Sequence, residues 1–205
     1  MALLNQQEQA QVAEAIANVE RITDAELVTV LAPQADDYTY IPLLWASILA
    51  LLLPGAVNYF GQWADIHQLI LSQWGGFIAL AILFRLPQIQ TRLIPRAVRH
   101  WRASNLARRQ FLEQNLHHTK GETGMLIFVS EAERYVEILV DRGISAKIPD
   151  VFWETIVNRF TARVAQNETA QGFIECIASC GEELQRQIPA SGEKNELPNH
   201  LIILD

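Results

Sequence analysis

Charge is missing from the middle of this chain. No acidic or basic side chain occurs from Tyr38 through Ala64, and after Asp65 and His67 none occurs until Arg85. A surface helix of a soluble protein shows a polar face to water, so this stretch is not one. Basic residues are also scarce at the start, where Arg21 is the sole one in residues 1–40. Met1-Ala2-Leu3-Leu4 runs at once into Asn5-Gln6-Gln7-Glu8-Gln9, which gives neither the basic region nor the continuous apolar run of a signal peptide. Residues 1–37 are therefore expected to stay on the side where they are made. Cysteine is nearly absent: Cys176 and Cys180 lie four apart in a helical pattern, with too few companion ligands for a zinc site, and are expected to be reduced core residues. There is no EF-hand spacing, Gly-rich phosphate loop or HExxH. Ser130 and Ser145 have no nucleophile-elbow context, and His100, His117 and His118 have no cysteine or acidic partner at ligand spacing. A net charge of -7 argues against nucleic acid as a partner.

What fills the uncharged middle is two apolar runs. The first extends from Ile41 to Leu53 and past Pro54-Gly55 into Ala56-Val57; the second holds Leu69-Ile70-Leu71 and Gly75 to Phe84. A spanning helix needs about 20 apolar residues at roughly 1.5 Å each. The second run meets that length when opened from Ile66, and the first meets it when it continues, kinked, through Pro54 to about Phe60. The expectation is a transmembrane helical hairpin over residues 39–86, with the lipid bilayer as its solvent.

Arginine placement sets the side. Arg85, Arg92, Arg96, Arg99, Arg102, Arg108 and Arg109 crowd residues 85–110, which hold no acid, while the connecting loop from Asn58 to His67 has no Lys or Arg. Positive charge beside a span marks the cytoplasmic face. The expected protein is multi-pass in the cell (inner) membrane with both termini cytoplasmic. The helical spacing of Arg92, Arg96 and Arg99, near His100 and Trp101, further points to a helix lying against anionic headgroups.

The flanks read as soluble α/β sequence. Val12, Ile16 and Val19 share a helix face within residues 5–22, and Glu26 to Ala32 is an apolar, β-branched strand closed by Pro33. After the hairpin, residues 95–118 read as a helix with a stripe of Leu106, Phe111, Leu112 and Leu116. Met125–Val129 and Arg134–Asp141 read as strands joined by the short loop Ser130–Glu133, with Gly143 supplying a following turn. Asp150 is placed to cap a helix burying Trp153, Ile156, Val157, Phe160 and Val164, and a last helix carries Phe173, Ile177, Gly181, Leu184 and Ile188. The long crossover allows the first and second strands to be parallel, and the short loop makes the second and third antiparallel. This predicts a mixed sheet covered by helices, divided as residues 1–38, the hairpin 39–86, residues 87–188, and a tail 189–205. The tail ends in Leu201-Ile202-Ile203-Leu204, expected to pack on the domain or a partner.

The order Glu26-Leu27-Val28-Thr29-Val30, Asp36-Asp37-Tyr38, Thr123-Gly124-Met125-Leu126-Ile127-Phe128-Val129 and Glu133 through Ile144 resembles a TPM domain. It is similar in particular to the bacterial membrane-protein branch with a transmembrane pair inside the domain. The resemblance implies an α/β/α sandwich. It also implies calcium binding, acid phosphatase activity, or a non-catalytic role in assembly or repair of a membrane protein complex. The carboxylates weighed for a metal are Glu26, Asp36, Asp37 and Asp141, because calcium or magnesium takes dense oxygen ligands wherever strand ends bring such side chains to one edge. A divalent ion there would polarise a phosphoryl oxygen or activate water, with Arg134 or Arg142 neutralising an anionic ligand. With no nucleophile–base pair visible, the preferred expectation is a membrane-anchored interaction module, and the alternative is a metal-dependent phosphatase-like hydrolase.

Overall fold

The computed structural model describes residues 4–61, 65–86, 89, 92–191 and 201–204. The chain divides into two compact units, Met1–Ala35 with His100–Asp205, and Asp36–Arg99.

The first unit is built on a four-stranded sheet in the order β3-β2-β1-β4, from β1 (Glu26–Ala32), β2 (Gly124–Ser130), β3 (Tyr135–Val140) and β4 (Leu201–Ile203). β1 pairs in parallel with β2 and with β4, and β2 pairs antiparallel with β3. Every residue of β1 and β2 is buried. A strand buried on both faces needs a continuous apolar run, not an alternating one. Leu27, Leu31, Met125, Ile127 and Val129 join one core, and Val28, Val30, Ala32, Leu126 and Phe128 join the other.

Three long helices supply the first core. α1 (Gln6–Glu20) offers Val12, Ile16 and Val19, and its start is fixed by a capping box between Asn5 and Glu8. The other two share an edge-to-face contact between Phe160 and Phe173, whose ring centroids are 4.9 Å apart. They are α6 (Asp150–Ala165) and α7 (Thr169–Gln187), preceded by the four-residue α5 (Arg142–Ser145). Cys176 and Cys180 are free and buried on α7 with their sulfurs 4.0 Å apart, and burial pushes the Cys180 thiol well up. The second core is covered by α4 (Arg96–Glu113) and a short 3₁₀ turn, Leu116–His118. Helices on both faces of a mixed sheet make an α/β/α sandwich, the architecture expected from the sequence.

Four local expectations change. α4 lays small residues on the sheet: Ala103 and Ala107 are fully buried, Leu106 and Phe111 pack at the margin, and Leu112 is 56% exposed. Alanine permits the closer approach, and Leu112 lies about 100° round the helix from Phe111. The helix stops at Glu113, and Asn115 adopts a left-handed backbone (φ 57) before the 3₁₀ turn. Asp150 does not cap α6, since extended Pro149 occupies the cap position and Asp150 is the first helical residue. Gly143 lies inside α5 and not in a turn; a Cβ there would collide with the Gly121 carbonyl and meet the Glu122 carbonyl at 2.8 Å. The tail segment Leu201–Ile203 is an edge strand, with Leu204 N–H donating to the Leu31 carbonyl at 2.9 Å. The tail residues 192–200, including Leu197 to His200, and residues 62–64 of the loop lie outside the described residues.

The second unit holds α2 (Tyr40–Gly61) and α3 (Ile66–Phe84). α2 runs on through Pro54 for 22 residues, and α3 has 19 residues opened by an Asp65–Gln68 capping box. At 1.5 Å per residue these are about 33 and 28 Å long. The helices pack closely where Gly76 meets Leu53, since a Cβ on Gly76 would overlap Leu53 Cδ1. Tyr38, Ile41 and Ile94 form a small buried cluster within this unit.

Among the described residues of the first unit, Thr29 Oγ1, Asp141 Oδ2 and Trp153 Nε1 are buried atoms without a hydrogen-bond partner. The Thr29 hydroxyl, in a fully buried residue of β1, has no hydrogen-bond partner. An unsatisfied buried hydroxyl costs more than the methyl that could replace it. Thr29→Val is expected to stabilise the domain by about 1 kcal/mol, raising Tm by about 2–4 °C in a thermal melt. A lower Tm would show that the hydroxyl is satisfied in solution.

Candidate functional site

Strand direction decides where the four weighed carboxylates go. Glu26 opens β1 opposite Gly124, and Asp141 follows β3 with its N–H donating to the Gly124 carbonyl at 2.9 Å. Both therefore lie at the amino end of β1 and β2. Asp36 and Asp37 follow the carboxyl end of β1, which pairs Ala32 with Ser130 and so lies beside the β2–β3 turn. The seven residues of β1 separate its two ends by about 20 Å. β3 runs opposite to β1, so the carboxyl ends of these two strands lie at opposite ends of the sheet.

Asp141 and Asp36 each have a local part to play. The Asp141 carboxylate caps α5, accepting from Arg142 N–H at 2.8 Å. Glu26 is buried at the strand start. Asp36 accepts from Tyr38 N–H at 3.3 Å, next to the left-handed Tyr38 backbone (φ 53). Among the described residues, no group of three or more His, Cys, Asp or Glu could hold a metal ion. The residues weighed for calcium or magnesium do not fit such an ion as a set.

Two other carboxylates, which the sequence reading passed over, hold the domain's polar interior together. Glu133, 4% exposed, accepts from the Ser130 hydroxyl and from Ala35 N–H at 3.2 Å. Glu131 and Ala132 N–H groups donate to the carbonyls of Ala32 and Pro33. The exit of β1 is thereby stapled to the β2–β3 turn. Glu137, in the middle of β3, accepts from Tyr135 Oη at 3.0 Å and from Ser104 Oγ of α4 at 3.2 Å. Burial raises its pKa above the ordinary carboxylate value, against the lowering effects of Tyr135, Ser104 and the Arg108 charge. Burial also pushes the Tyr135 phenol up to about 12. The sequence signal was present for Glu137, a charged residue in an apolar strand, but the α4 hydroxyl that meets it comes from 33 residues away.

A cleft of the domain opens at the carboxyl ends of β1 and β2, where ligand sites of open α/β sheets usually lie. It measures about 1030 Å³ and is lined by Pro33, the turn residues Glu131, Ala132 and Arg134, the α6–α7 junction and the start of α1. Thr169 donates to Glu131 at 3.1 Å, and Arg163 is held by Glu168 at 2.6 Å and Glu175 at 2.8 Å. No His, Cys or Ser is among the described residues that line it. The cleft thus offers apolar contact from Leu4, Val164 and Ile174 inside a polar rim where the Thr169 hydroxyl meets the Glu131 carboxylate.

Two predictions follow from these carboxylates. Glu133→Ala removes the shared acceptor of Ser130 and Ala35, and is expected to cost about 1–3 kcal/mol, with faster amide exchange at Ala35; unchanged exchange would show that the staple is dispensable. For Glu137 the folded-state pKa is raised, so its contribution favours folding below the unfolded-state value of about 4.3 and is lost as pH climbs through the raised value. Glu137→Gln should therefore gain stability relative to the parent between about pH 4 and pH 7. Denaturant titrations across that range that diverge in the opposite sense would refute this.

Comparison with known proteins agrees with the architecture. Residues 93–183 match the family model for the TPM domain. The NMR structure of BA42 protein from the psychrophilic bacterium Bizionia argentinensis is similar in fold, with a TM-score of 0.61 at 18% identity over 98% of this chain and 94% of that one. No curated protein sequence matches the chain. The chain carries a TPM domain, matched over residues 93–183 and folded as a helix-covered mixed sheet.

Proposed function

We propose that this protein is a membrane-anchored TPM-domain protein that acts as a non-catalytic interaction or assembly module at the cytoplasmic face of the membrane. One observation carries the reading. α2 and α3 are each long and apolar enough to cross a bilayer, and no part of the apolar window of α3 is buried. Leu71 and Ile82 are 70% and 66% exposed. In water, so large an unbroken apolar surface would be a strong drive to aggregate; in lipid it is the ordinary surface of a spanning helix. Aromatic residues at the helix ends, Tyr40 and Trp45 at the start of α2 and Tyr59 and Phe60 near its end, suit the two interfaces. Arginines after α3, set against a loop sequence without Lys or Arg, support cytoplasmic flanks. The apolar floor and polar rim of the cleft support binding to a membrane protein complex.

Extraction of native membranes with alkaline carbonate should leave the full-length protein in the pellet. Cysteine introduced at Asn58 should react with an impermeant maleimide from outside intact cells, since both native cysteines are buried. Release into the supernatant would end the anchored reading, and labelling only after lysis would reverse its sidedness. The purified protein should show no turnover of a generic phosphomonoester with calcium or magnesium added; turnover lost in Asp36→Ala with the fold intact would establish the hydrolase alternative.

A further inference from the structure

α4 has two faces in the sheet-bearing unit. Ala103, Ala107 and Gln110 are buried, while Trp101, Asn105, Arg108 and Leu112 recur at i, i+4, i+7 and i+11 on the opposite side. Trp101 is 59% and Leu112 56% exposed, although both are large and apolar. The Arg102 guanidinium lies 5.0 Å from the Trp101 ring centre, so a cation sits directly over the indole. Arg109 is exposed beside this stripe and pairs with Glu113 at 3.2 Å, the sole acid of the helix. This refines the surface expected from the sequence. Arg99 and His100 are half-buried, with His100 edge-on to Tyr135 at 5.3 Å, and the outward face is instead Trp101, Arg108 and Leu112.

We infer that this outward face of α4 docks on anionic phospholipid headgroups, with Trp101 and Leu112 entering the interfacial layer and Arg102, Arg108 and Arg109 meeting the phosphates. The inference rests on the membrane-anchored reading and names a second contact with the same bilayer. Two facts select lipid. The helix has five arginines, Arg96, Arg99, Arg102, Arg108 and Arg109, in a chain whose net charge is -7, so its complement is an anionic surface. Residues 85–95, which hold Arg85 and Arg92 and no acid, join it to α3, so α4 follows a spanning helix within one short connection. Exposed tryptophan and leucine between arginines is the pattern of an interfacial helix, and a polybasic segment beside a span gains from an anionic leaflet.

The test uses full-length protein labelled with 5-fluorotryptophan in nanodiscs of phosphatidylcholine alone or with phosphatidylglycerol added. The Trp101 resonance is identified as the one missing in Trp101→Phe. Adding phosphatidylglycerol should protect that resonance several-fold from a water-soluble gadolinium agent, and high salt should reverse the protection. The double variant Arg108→Gln, Arg109→Gln should weaken the phosphatidylglycerol dependence on the order of tenfold, while the buried Trp153 resonance stays unmoved as a folding check. Equal accessibility of Trp101 in both lipids would overturn the proposal, as would protection appearing only when a soluble acidic protein is supplied. Failure of the anchored reading looks different: the protein would leave membranes in carbonate, whereas failure here leaves it embedded with Trp101 in water.

Discussion

The parallel pairing of β1 with β2 is the constraint on which the structure depends. These two strands are adjacent in the sheet, yet everything from Pro33 to Thr123 lies between them in sequence. Closing so long a connection costs chain entropy, although the cost grows only slowly with length. It is offset by a pair of strands buried on both faces, with α1, α6 and α7 on one side and α4 on the other. The Glu133 staple secures the point where the chain leaves the sheet. An insertion there can be of any composition, provided that its ends return to this exit and to α4.

The same pairing determines what the polar groups can do. With β1 and β2 parallel and β3 reversed, each end of the sheet mixes strand starts with strand finishes. Carboxylates that look neighbourly along the sequence are then shared between two edges. The cleft at the carboxyl edge gains its polarity from turn and helix-junction residues, and its charges are largely consumed by internal pairs such as Arg163 with Glu168 and Glu175. Glu137 shows the opposite economy: a carboxylate kept in a half-apolar place by two hydroxyl donors, at a cost that its raised pKa records.

Charge distribution along the chain divides the labour between the units. Residues 1–40 hold a single basic residue, Arg21, while the arginines are gathered just after α3. A chain of overall negative charge would be repelled by an anionic leaflet unless its basic residues were concentrated at the contact. α4 has that concentration, and among the described residues it is also the single long helix packed on its face of the sheet. A surface bound by α4 therefore acts directly on the element that covers half of the core.

Much of this was legible in the sequence because it depends on periodicity and composition. The apolar β1 and β2, the buried faces of α1, α6 and α7, and the two charge-free helices all follow from side-chain types at fixed spacings, which act locally. What the residues alone could not give was which ends of which strands meet, since direction and order depend on pairing across the long connection. For that reason the hydroxyl that Ser104 brings to Glu137 is not legible in the sequence. The face of α4 escaped for a related reason. Alanine is a weak marker of burial, so Ala103 and Ala107 set the helix rotation only once the sheet was present to receive them, and that rotation turned Trp101 and Leu112 outward.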